Sequence, residues 1–116
     1  MLRFIMLVFL NLILAVTLTP THAQQDCKNP TGVKMNAVFV HATVECNKNY
    51  MDTNIGNAML GLARQEIQRC HFTETDINGF FMYEAGIFDE RKRNQGLEYA
   101  CKTVEDAYQD MQKMRK

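Results

Sequence analysis

The sequence predicts an all-α protein, a small four-helix up-down-up-down bundle stapled by disulfides, and three observations carry that expectation. Apolar residues recur at three- and four-residue steps along most of the chain, the period of amphipathic helices. Four cysteines fall in a chain of 116 residues, an even count that reads as a disulfide framework in a small exported protein. The first 23 residues have the layout of a secretory signal peptide.

In that leader Arg3 is the only charge, Phe4 to Val16 is apolar apart from Asn11, and Thr17 to Ala23 turns polar and small around Pro20. Thr21-His22-Ala23 fits the small-x-small cleavage rule. The apolar run is shorter than the roughly 20 residues that span a bilayer, so cleavage after Ala23 is expected, with no stable membrane insertion afterwards. Cys27 follows Gln24-Gln25-Asp26, which argues against a lipoprotein. The expected product is a single helical domain over residues 24–116, periplasmic or secreted.

Gln24 to Gly32 is polar, carries the turn Asn29-Pro30-Thr31-Gly32, and reads as a lead-in tethered by Cys27. Val33 to Met51 fits two periods. Met35, Val38, Phe39, Ala42, Cys46 and Tyr50 share a helical stripe, while Val38 to Cys46 also alternates as a strand does. No other segment offers a strand partner, and a lone strand leaves its backbone groups unpaired. A helix is therefore expected, with an edge strand at 36–46, which a homodimer would pair, as the alternative.

Asp52-Thr53-Asn54 offers capping oxygens for a second helix over about Asn54 to His71, with Ile55, Ala58, Met59, Leu62, Ala63, Ile67 and Cys70 on its stripe. Gly56 and Gly61 are unfavourable inside it, and close approach to a neighbouring helix is the expected reason for both. Thr73 to Asp76 resembles a capping box opening a third helix, about Glu74 to Arg93. Ile77, Phe80, Phe81, Ile87 and Phe88 form its apolar face, and Ile77, Phe81 and Phe88 define its buried direction. The run Asp89-Glu90-Arg91-Lys92-Arg93 suits a helix C-terminus in its cations, and a turn is expected at Asn94-Gln95-Gly96. The fourth helix, about Leu97 to Met114, has the stripe Leu97, Ala100, Cys101, Val104, Tyr108 and Met111.

In such a bundle the first helix neighbours the second and fourth. At about 1.5 Å per residue, Cys27 and Cys70 come to one end, and Cys46 and Cys101 share a height near the other. Of the three connectivities that four cysteines allow, only Cys27–Cys70 with Cys46–Cys101 matches those heights.

Composition closes several functions. There is no Ser and no Trp, so no serine nucleophile exists, and paired cysteines are not thiolate nucleophiles. No enzyme activity is expected. Charge is balanced, which gives no electrostatic footprint for nucleic acid. No Cys-x-x-Cys, and hence no zinc knuckle or thioredoxin-type centre, is present; no cofactor or metal is expected.

Glu66 and Glu84 fall on apolar stripes, where a carboxylate is costly unless paired. They are candidate buried carboxylates, either functional acids or partners at the rim of Arg64, Arg69 or a Lys. Ferritin-like sites need Glu-x-x-His, and the third position after Glu45, Glu66 and Glu84 holds Lys48, Arg69 and Ile87. His41 and Glu45 lie one turn apart but lack a third ligand, His71 being the other imidazole considered, so a solvated pair on the outer face is expected. Phe80-Phe81-Met82-Tyr83 holds more large side chains than one stripe can bury, so Phe80, Met82 and Tyr83 are candidate binding residues. Asp89, Glu90, Arg91 and Arg93 in the charged run are further candidates.

A leader, a helical domain of about 90 residues and paired cysteines resemble, in architecture, the small periplasmic immunity proteins that protect bacteria against type VI secreted amidases. The resemblance rests on architecture and transfers no site residue. It implies a protein partner that is capped or inhibited. The alternative is a carrier that holds a small apolar ligand between its helices, suggested by the methionines and aromatics of the mature chain. An enclosed apolar cavity would favour the carrier, and a packed core with an exposed aromatic patch the binder.

Overall fold

Helix α1 (Thr31–Glu45) is the element around which the others gather. Its buried residues are Gly32, Val33, Ala37, Phe39 and Ala42. At about 100° per residue they cover more than half of the helix circumference, so α1 needs apolar neighbours on more than one side. The computed structural model describes residues 27–115; the expected signal peptide, residues 1–23, lies outside them. Three further helices follow, α2 (Asn54–Cys70), α3 (Glu74–Gln95) and α4 (Leu97–Arg115), with a 3-10 turn at Tyr50–Asp52 before α2. The architecture is an all-α, disulfide-stapled four-helix bundle, as the periodicity predicts.

The strand alternative at 36–46 is not realised, because the segment is helical to Glu45. Helix α1 is nevertheless shorter than the 33–51 stretch suggests. Asn47 adopts a left-handed conformation, φ 54°, which Asn tolerates better than most residues, and the chain then turns. The helix also starts earlier than expected, at Thr31, inside what reads as a polar lead-in. Its neighbours differ as well. Helix α1 packs most extensively on α2 and α3 and more lightly on α4, whereas α2 and α3 scarcely touch. The wide apolar surface of α1 separates them.

The helix ends follow the sequence closely. The Thr53 hydroxyl accepts from the Gly56 N–H at 3.0 Å, and Thr73 and Asp76 form a reciprocal capping box. His71 ends α2 in the left-handed region, φ 56°. Helix α3 continues through Asn94 and Gln95, where a turn is expected, and Gly96 alone, φ 95°, separates it from α4. Of the two glycines in α2, Gly56 is explained by close approach, to the 3-10 turn rather than to a helix. A Cβ there would strike the Tyr50 carbonyl oxygen and the Met51 Cα. Among the described residues no atom lies within 4 Å of a Cβ built at Gly61, so the close approach of a neighbouring helix expected there is not found among them. The glycine that permits helix-to-helix approach is Gly32 of α1, whose missing Cβ would lie 2.6 Å from the Ala63 nitrogen.

The two disulfides are Cys27–Cys70 and Cys46–Cys101, with Cα–Cα distances of 5.5 and 5.7 Å, the pairing that the helix heights select. They close sequence separations of 43 and 55 residues, long loops that a chain-entropy argument credits with about 4 kcal/mol each. Beside Cys46–Cys101 lies an aromatic core. Phe39 stacks on Tyr50 at 5.5 Å, and Tyr108 meets both rings edge-on. Lys48 covers this cluster with its ammonium 4.9 Å from the Tyr50 ring and 5.0 Å from the Tyr108 ring. The same ammonium donates to Glu105 at 2.7 Å, and the Tyr50 hydroxyl donates to Glu105 at 2.6 Å. Hydrogen bonds from Lys48, Tyr50 and Gln109 hold the Glu105 carboxyl down at about 2. Burial, and then the adjacent carboxylate, push the Tyr50 phenol above its ordinary range.

Candidate interaction surface

Helix α3 shows where the sequence carries more apolar surface than the fold buries. Its large side chains Phe80, Phe81, Met82 and Tyr83 are consecutive, so they point around most of the circumference. Of the whole helix only Phe88 is buried. Ile77, Phe80, Phe81 and Ile87 are half-buried, which corrects the expectation that Ile77 and Phe81 lie in the core with Phe88. The cause is the arrangement of the helices: among the described residues α3 packs on α1 and α4 while α2 hardly touches it, so part of its circumference is left uncovered by them. Leu97, expected on the buried stripe of α4, is exposed for a similar reason, since it begins that helix directly after Gly96.

Met82 is 76% exposed and Tyr83 63% exposed, on either flank of the helix. On the Met82 flank, Val40, His41 and Val44 of α1 and Phe81, Met82 and Ala85 of α3 line a mostly apolar groove of about 290 Å³, and Val44 is itself 80% exposed. On the other flank, Phe72, Phe80 and Tyr83 line a groove of about 690 Å³ with Lys28 and Lys34 at its edge. Phe80 packs edge-on against Phe72 at 5.3 Å, so it forms part of the groove wall. The Lys34 ammonium sits 5.9 Å from the Tyr83 ring. Neither groove is enclosed by the described residues.

The charged run does not stay together as one patch. Asp89 reaches toward α1 and lies 3.1 Å from His41 with its side chain still 47% exposed, while Glu90, Arg91 and Arg93 are exposed along the end of α3. Lys92 of the same run reaches Glu45 at 3.3 Å. His41 and Glu45 therefore face α3 and are half-buried against it, not solvated on the outer face as the sequence suggests. The third group near them is Asp89, a carboxylate 48 residues along the chain from His41. His71 is exposed at the far end of α2.

The two stripe carboxylates have different fates. Glu84 is ion-paired with Lys34 at 3.7 Å, the Lys partnership expected, but its side chain is only 10% exposed and so is nearly buried instead of reaching the rim. Glu66 is only 3% exposed and meets neither Arg64, Arg69 nor a Lys as its hydrogen-bond partner. Its two oxygens accept from the Gly32 and Val33 N–H groups at 3.1 and 2.9 Å. Those donors belong to the first turn of α1, whose N-cap, Pro30, offers no side-chain acceptor. Glu66 thus caps another helix and places its negative charge at the positive end of that helix. Cys70 lies one turn further along α2, so one face supplies both the cap and the staple to the start of α1. Sequence alone carries no signal for this role, because Asn29 and Thr31 offer local capping candidates and only the structure places the cap at Pro30.

Among the described residues, no helix is long and apolar enough to cross a membrane. No known protein family, curated relative or solved structure matches this chain.

Proposed function

We propose that this is an exported binding protein that caps or inhibits a protein partner through the N-terminal half of α3, in the manner of an immunity protein. The observation that carries the reading is the exposure of Met82, beside Val44 of α1, and of Tyr83 on the other flank of α3, a helix flanked in sequence by the stapled residues Cys70 and Cys101. Large exposed apolar side chains contribute little to the stability of the free chain and concentrate binding energy at interfaces. The rigid staples lower the ordering cost of binding. The signal-like leader and the pairing of all four cysteines support export, and the lack of Ser and of a free thiol supports a non-enzymatic role. The carrier reading finds less support, because the grooves beside α3 are open and the aromatic core beside Cys46–Cys101 is packed.

The test is site-specific photo-cross-linking in the periplasm, with the reactive residue at position 82 or 83 and, as a control, at exposed Gln109 of α4. Discrete protein adducts are expected from 82 and 83 and none from 109. Tyr83→Ala should weaken the adduct at 82 while changing the urea midpoint little, since surface substitutions shift stability by under about 0.5 kcal/mol. Adducts from all three positions alike, or from none, would remove the reading.

A further inference from the structure

Where α1 faces the second half of α3, three side chains able to ligate a metal converge. His41 and Glu45 lie one turn apart on α1, Asp89 lies opposite on α3, and one ligand atom from each falls within 4.8 Å of the others. We propose that His41, Glu45 and Asp89 form a binding site for a borderline divalent transition metal such as zinc, bridging α1 and α3.

The geometry suits such an ion. His41 Nε2 and Asp89 Oδ1 are 3.1 Å apart, close to the roughly 3.3 Å that separates two ligands bound at about 2.0 Å in tetrahedral array. The buried Phe88 ring meets the imidazole edge-on at 5.1 Å and holds its plane. One imidazole with two carboxylates is a donor set for zinc and its neighbours in the first row, whereas calcium and magnesium prefer oxygen alone. Three protein ligands leave a fourth position open. Thiolate ligands do not compete, because all four cysteines are paired.

Lys92 sets the affinity of this site. Its ammonium lies 3.3 Å from Glu45 Oε2, so it occupies part of the charge that a metal would use, and it must swing outward when the ion binds. Its side chain is 44% exposed, which leaves it room to do so. Removing the Lys92 charge therefore strengthens metal binding, an effect opposite in sign to that of removing a ligand.

The experiment is calorimetric titration of zinc chloride into residues 24–116, disulfides intact and without a histidine tag. His41 and His71 are then the only histidines. One zinc per chain is expected. His41→Gln and Asp89→Asn should each weaken binding at least about tenfold, His71→Gln should leave it unchanged, and Lys92→Gln should tighten it severalfold. Calcium chloride should give no saturable heat. The gain in Lys92→Gln cannot arise from misfolding, so it protects the test against a damaged ligand variant. Absence of one-to-one zinc binding overturns the proposal. So does affinity retained in both ligand variants, loss in His71→Gln, or no gain in Lys92→Gln.

Discussion

Helices α3 and α4 are similar in length, 22 and 19 residues, and one residue joins them, yet the fold uses them in opposite ways. Helix α4 concentrates its apolar side chains on one stripe, and Ala100, Val104 and Tyr108 are buried there against Phe39 and Tyr50. Helix α3 has more aromatic residues and buries a single one, Phe88. Burial follows the distribution of apolar residues more than their number. A stripe can be covered by one neighbour, whereas side chains spread around a helix leave some uncovered unless helices pack on every side. The surplus on α3 is the surface that the proposed partner would cover.

The sharpest contrast between the two regions is a pair of phenylalanines. Phe39, fully buried and ringed by Tyr50 and Tyr108, should cost about 3 to 5 kcal/mol of unfolding free energy when changed to Ala. Phe81→Ala should cost less than half as much, because the side chain is half-buried at the wall of an open groove. Urea titrations of the two oxidised variants measure both. Equal losses would mean that the N-terminal half of α3 is as much a part of the core as α4.

Two glutamates sharpen the same contrast with one residue type. Glu66→Ala strips two buried backbone donors of their acceptors, and leaving such groups unpaired costs about 1 to 3 kcal/mol each before any local rearrangement. A loss of about 2 kcal/mol is expected. Glu84→Ala removes a side chain only 10% exposed from an ion pair of 3.7 Å, but its Lys34 partner is 31% exposed and keeps its donation to Asn29, so no donor is stranded and a cost of about 1 kcal/mol, below that of Glu66→Ala, is expected. Amide exchange should separate them further. The Gly32 and Val33 amides should lose protection in Glu66→Ala and keep it in Glu84→Ala; protection retained in both variants would contradict the capping role of Glu66.

How much of this was legible in the chain depends on whether the cause was local. The caps at Thr53 and Thr73, the stripe of α4 and the disulfide pairing follow from spacing along one or two helices, and each was readable. The exposure of Met82 and Tyr83 followed from crowding within one helix. The helix neighbours did not, because the breadth of the apolar surface on α1 becomes meaningful only once Glu45 is known to end it. Glu66 stands out as a carboxylate on an apolar stripe, but its partners lie more than thirty residues away in sequence. Asp89 joins His41 and Glu45 only through the packing of α3 on α1, so two ligands were visible and the third was hidden in a charged run.

The smallest effect separates the two regions by pH. Glu105 lies at the stapled end, where Lys48, Tyr50 and Gln109 donate to its carboxylate and hold its pKa at about 2, against an ordinary 4.5. A carboxyl whose pKa is lower in the folded state stabilises the fold above its unfolded value. That contribution is fully present above about pH 4.5, declines as the pH falls, and is lost once the pH passes through about 2. Its size is modest, because the Glu105 side chain is 33% exposed and its Lys48 partner 44% exposed, and solvent screens such pairs to under about 1 kcal/mol. Glu105→Gln removes the titrating group, so the stability gap between wild type and variant should be widest at pH 7 and close on approach to pH 2. Urea midpoints at pH 7, 4.5, 3 and 2.5 would trace that closure. A gap of the same width at pH 7 and 2.5 would show that Glu105 acts through its shape and neutral hydrogen bonds, and that the ionic lid over Tyr50 and Tyr108 adds nothing to the stapled end.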